Sequence, residues 1–157
     1  MATQPDKAVP AGIKPPSALL ALTELPRAIA EFRELLASGS PLPEVRFQLA
    51  ALLEASSKSE AERLWIECVQ LNPSHLDARR RLGMLYATTE RLDKAGEQFL
   101  ALTRLKPDDA EAWGNLGNVA LFQGRAREAV AHYEQALRLD PNNRSLRENL
   151  RVARENL

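Results

Sequence analysis

Apolar and small residues recur along this chain at helical spacing, in blocks that repeat. The clearest block is Ala110–Asn143. Trp113 and Leu116 fall three apart on one face of a first helix, and Gly117 removes a side chain where a neighbouring helix must come close. Ala129, Tyr133 and Ala136 then form a small-large-small stripe on a second helix, and Gly124 and Pro141 punctuate the two. The block reads as an antiparallel helix pair that cannot bury its apolar stripe alone.

The neighbouring blocks supply the missing partners. A shift of 34 residues lays Leu82-Gly83, Tyr86, Ala95, Phe99 and Pro107 over the same roles, and a further step brings Ala61, Trp65 and Pro73 into line. The W-x-x-L-G, A-x-x-x-aromatic and terminal-proline pattern at this fixed period resembles the tetratricopeptide repeat over about Pro41–Asn143. The resemblance implies an all-α solenoid: a right-handed stack of antiparallel helix pairs whose concave groove binds other proteins or peptides. Three repeats are expected, at about residues 41–75, 76–109 and 110–143.

The flanking stretches depart from the pattern. Residues 1–16 carry Pro5, Pro10, Pro15 and Pro16 with few large apolar residues, and are expected to form a flexible arm. Residues 17–40 read as a degenerate half-repeat. Ser17 is a candidate N-cap, Pro26 interrupts the pattern so that an opening helix near Ser17–Glu24 is shortened, and Ala28, Phe32 and Leu35 repeat the second-helix stripe. The next pair is expected at Glu44–Ala55 and Ser59–Leu71, with Ser59 and Glu62 as a capping box. In the following repeat the break falls near Thr89–Leu92, and Arg79 stands where Trp113 stands later, its stem along the core and its charge in water. Over residues 144–157, Leu146, Leu150, Ala153 and Leu157 make one apolar stripe opposite a charged face, as a capping helix requires.

Charge and chemistry narrow the function classes. Acids and bases balance at 21 each among 157 residues, which argues against a chain built to coat nucleic acid. The single Cys68 allows no internal disulfide and stands at a small buried position. No secretory signal or membrane-spanning run is read, so a cytoplasmic protein with no membrane insertion is the expectation. His75 and His132 have no ligands at metal spacing, and Asp108-Asp109 sits where acids cap a helix. Gly114-Asn115-Leu116-Gly117 lies inside a helix and lacks the residues of a phosphate loop. No catalytic constellation, metal or cofactor is expected, and the chain reads as non-enzymatic.

Function then falls to a surface. In the family resembled, the first helix of each pair lines the concave side. The positions there are Asp77, Arg80, Arg81, Met84 and Thr88 in one repeat, Glu111, Asn115, Asn118, Leu121 and Phe122 in the next, with Arg46 added from the first. They give a basic-to-polar floor with apolar anchors, suited to an extended or helical peptide. An adaptor or scaffold holding a partner protein's peptide is the leading reading. The alternatives are self-association through Leu19–Leu25 or Leu146–Leu157, and weak nucleic-acid binding through Arg79–Arg81 and Arg144–Arg154. Arg80 and Asn118 could supply part of a carboxylate clamp, but the first repeat lacks the matching Lys and Asn.

Overall fold

Proline closes each helix pair and a side-chain cap opens the next, and this alternation sets the element order. A computed structural model describes the backbone of residues 21–157, with side chains from residue 24. The expected arm at residues 1–16, the Ser17 cap and most of the Leu19–Leu25 stripe lie outside the described residues. The elements are α1 (Ala21–Ala37), α2 (Pro43–Leu53), α3 (Lys58–Leu71), α4 (Leu76–Thr88), α5 (Leu92–Leu105), α6 (Ala110–Phe122), α7 (Ala126–Leu139) and α8 (Arg144–Glu155), with no strand among the described residues. They fall into two units, one ending at Leu71 and the other running from Asn72 to Leu157.

In the first unit, α1 packs on α2 and α2 on α3. Phe32 is buried, and Val45, Leu49, Ala50, Leu53, Ala61, Leu64, Trp65 and Cys68 form the interior. Burial pushes the Cys68 thiol up to about 11, which keeps it protonated and inert at neutral pH. Trp65 Nε1 is buried without a hydrogen-bond partner, a cost of about 1–3 kcal/mol that the packing of its ring must outweigh.

Three sequence expectations change here. Pro26 does not interrupt the helix: α1 is continuous through it. The proline removes one N–H near the start of a 17-residue helix, its ring is exposed, and the stripe around Phe32 holds the rest in place. The second helix starts at Pro43, whose fixed φ and missing N–H suit the first helical position, and stops at Leu53 rather than Ala55. Ser59 lies inside α3 and forms no N-cap; the Ser57 carbonyl accepts the first helical bond, from Ala61 N at 3.0 Å.

The second unit repeats two devices at the expected period. His75 Nδ1, Asp109 Oδ1 and Asn143 Oδ1 accept from the backbone N–H of Ala78, Ala112 and Leu146 at 3.2, 3.0 and 3.1 Å, capping α4, α6 and α8. Four residues after each cap, a long donor folds back onto the proline before it: Arg79 Nε to Pro73 O at 2.6 Å, Trp113 Nε1 to Pro107 O at 2.9 Å, and Arg147 Nη2 to Pro141 O at 2.6 Å. Arg79 therefore replaces tryptophan as a donor as well as a stem. Its charge is not left to water, because its Nη1 also donates to Gln98 Oε1 at 3.0 Å.

The turns are matched as well, except for one residue. Gly124 (φ 73°) and Glu90 (φ 58°) occupy the same left-handed turn position one repeat apart. A side chain costs about 1 kcal/mol in that region, so Glu90→Gly is expected to raise the melting temperature slightly while Gly124→Ala lowers it. Thermal unfolding of the two variants checks this.

The last helix closes the core. α8 packs on α7, burying Leu146 and Ala153 and laying Leu150 against the cluster of Ala120, Ala129, Tyr133 and Ala136. Its stripe is thus occupied within the chain, apart from the exposed Leu157.

Candidate peptide-binding face

The first helices of the second unit are fastened to one another by side chains. Arg80 on α4 reaches the start of α6, donating to Asp109 Oδ2 at 2.5 Å and Glu111 Oε2 at 3.0 Å. Asn118 on α6 is joined to α8 by Asn149, whose Nδ2 donates to Asn118 Oδ1 at 3.0 Å. The same Oδ1 accepts from Tyr133 Oη at 2.7 Å. Both acceptor positions of the Asn118 oxygen are filled in this arrangement.

These links change the chemistry expected of the face. Arg80 was expected to give it a basic floor, but its largely buried guanidinium is matched by two carboxylates. Burial works to raise the Asp109 pKa. The hydrogen bonds from Arg80 and Ala112 N, with the charges of Arg80 and Lys106, outweigh burial and hold Asp109 below its ordinary 3.8. The reciprocal pair raises Arg80 against its own burial. The floor there is neutral, and Arg80 and Asp109 are parts of the frame.

The remaining positions divide between frame and surface. Thr88 Oγ1 donates to Leu85 O at 3.0 Å, and Leu121 packs against the core cluster. Asp77, Arg81 and Glu111 are exposed and Asn115 is half-buried. Met84 is 47% exposed and Phe122 77% exposed, so both apolar anchors face water. Arg46 belongs to the first unit, where it donates to Glu67 Oε2 at 3.2 Å and to Ser40 O at 2.9 Å. Asn149 is the addition that sequence reading missed. It lies 34 residues after Asn115, so the period that located the groove positions also marked it.

Tyr133 is fully buried, which pushes its phenol up to about 12 and keeps it a donor to Asn118. His132 lies 5.8 Å from the Trp113 ring, and burial lowers its pKa. No cluster of metal-ligating side chains is found among the described residues, and none of their helices is long and apolar enough to cross a membrane.

Known proteins place the fold. Two family patterns described as tetratricopeptide repeat match residues 50–110 and 110–143. Protein O-mannosyl-transferase TMTC1 of Mus musculus is 48% identical over 59 residues, 38% of this chain and 6% of that protein. The peroxisomal targeting signal receptor of Candida albicans is 33% identical over 102 residues, 62% of this chain and 17% of that one. This chain thus spans less than a fifth of either relative. Among solved structures, MamA superposes with a TM-score of 0.78 at 18% identity, covering 87% of this chain and 75% of the other. YrrB, described as having an unusual peptide-binding site, gives 0.69 at 24% identity, covering 87% and 70%. The fold is all-α, built of antiparallel helix pairs with a terminal capping helix.

Proposed function

Because the chain belongs to the tetratricopeptide repeat family, a fold of protein-interaction modules, we propose that it acts by binding and that the face carried by α4, α6 and α8 holds a partner's peptide. One observation carries this reading. With the Asn118 oxygen engaged by Tyr133 and Asn149, the Asn118 NH2 is the group left to donate and the Asn149 oxygen the group left to accept. A donor and an acceptor side by side match one peptide unit of an extended backbone. Met84 on α4 and Phe122 one turn beyond Asn118 on α6, both exposed, supply apolar anchoring of the kind that dominates interface energies. The partner is an uncharged or mixed segment with apolar side chains, since the face has lost the basic floor that an acidic ligand would need.

Asn118→Asp keeps the acceptor for Tyr133 and removes the NH2 donor. Met84→Ala with Phe122→Ala removes the anchors at exposed positions, where the stability change stays within about 0.5 kcal/mol. Affinity capture from native lysate, read by mass spectrometry, is expected to lose the same partner with either variant while melting is retained. Undiminished capture by both would discard this face as the binding site.

A further inference from the structure

A second surface on the same unit has its own chemistry. A crevice of about 440 Å³ runs among α5, α6 and α7, and its α6 lining is centred about 150° around that helix from Asn118. Its floor is apolar, from Leu116, Val119 and Ala120, with Leu100 38% exposed at its side. Asp93 and Glu97 stand four residues apart along the α5 edge, hence on one helix face, and Glu128 stands on the α7 side. Against these three acids the lining holds one full cation, Arg125, which lies 3.8 Å from Glu128. His132 is held towards its neutral form by burial.

Gly96 opens the floor of this crevice, and the fold does not require it. A Cβ at Gly83, Gly114 or Gly117 would meet a neighbouring side chain at 2.7–2.8 Å. At Gly96 the nearest atom would be Val119 Cγ1 at 3.6 Å, an ordinary contact, and its φ is not positive. A glycine inside a helix costs about 1 kcal/mol relative to alanine, so α5 is weaker than it need be. One repeat later the same position is Val130, which packs against the core cluster. The glycine's local effect is to leave a notch above Val119.

We propose that this crevice is a second docking site, taking a basic amphipathic helix that seats an apolar side chain in the notch at Gly96 and pairs its lysines or arginines with Asp93, Glu97 and Glu128. Cations spaced i, i+4 on such a helix match the spacing of Asp93 and Glu97, and its apolar stripe faces Leu100 and Val119. The excess of negative charge on the rim disfavours an acidic segment.

The test is a titration of the isotope-labelled full chain, followed by amide chemical shifts, with a synthetic helical peptide of leucine and lysine at i, i+3, i+4 spacing. A counterpart with glutamate for every lysine is the control. The lysine peptide is expected to shift amides in residues 93–100 and 116–123, and the glutamate peptide to leave them unmoved. Gly96→Leu fills the notch and is expected to abolish the shifts without lowering the melting temperature. Glu97→Gln, on the exposed edge, keeps the helix and is expected to weaken binding several-fold, with a shallower salt dependence. Equal binding of both peptides, shifts undiminished in Gly96→Leu, or no shift at about 1 mM lysine peptide would each overturn the proposal.

Discussion

Gly117→Ala is expected to destabilise the second unit by about 2–3 kcal/mol, more than an exposed glycine could. The added Cβ would lie 2.7 and 2.8 Å from Cε1 and Cδ1 of Tyr133, inside van der Waals contact. That ring cannot withdraw, because it is fully buried and its hydroxyl is held by Asn118 at 2.7 Å. Gly83 offers an internal comparison. Its Cβ would meet Phe99 at 2.8 Å, but Phe99 has no hydroxyl tether and its ring can tilt, so Gly83→Ala is expected to cost less. Urea unfolding of the two variants gives the order, and equal midpoints would show that the tether does not restrain the ring.

Asp109→Ala is expected to cost about 2–3 kcal/mol, because Asp109 carries two loads. Its Oδ1 caps α6 at Ala112 N, and its Oδ2 answers Arg80. Alanine removes the cap and leaves Arg80, largely buried, with the exposed Glu111 and the weaker influence of Asp77. Asp109→Asn keeps a competent cap and loses only the charge, so about half the penalty is expected. The pH dependence has a definite sign. The folded pKa lies below the ordinary 3.8, so the unfolded chain binds the proton more readily. The stabilisation is complete above that value and is lost as pH falls through the folded pKa. Wild type should therefore lose stability relative to Asp109→Asn below about pH 4, where their melting temperatures converge.

The sequence carried the parts of the fold in which one residue type meets one physical need. Gly117 beneath Tyr133 and Gly83 beneath Phe99 show as small-against-aromatic pairs at fixed offsets, because no other pair fits so close an approach. The three caps were less legible, since His75, Asp109 and Asn143 perform one role with three chemistries. Pro26 misled because proline is a strong breaker, yet near the start of α1 the packing around Phe32 outweighs one missing bond.

The face was harder to read than the core. The repeat phase placed Arg80 on the first-helix surface, but its partners Asp109 and Glu111 lie 29 and 31 residues on, across the repeat boundary. Only the three-dimensional contact turns two apparent binding groups, Arg80 and Glu111, and the Asp109 cap into one internal ion-pair network. Asn118 behaves differently, because its oxygen is used internally while its nitrogen is left to the surface. Asn149 went unnoticed because α8 was read as a cap. It is a cap through its apolar stripe, while Asn149, on the flank of that stripe, continues the row of first helices.

The most direct measurement is site-specific photo-cross-linking in cells from position 122, with a photoreactive phenylalanine in place of Phe122, itself 77% exposed. If the face of α4, α6 and α8 holds a peptide, this position yields an adduct with another protein, and Asn118→Asp abolishes it. No adduct from position 122, with capture instead from position 100 on the α5 side, or adducts only with a second copy of the chain, would contradict the account.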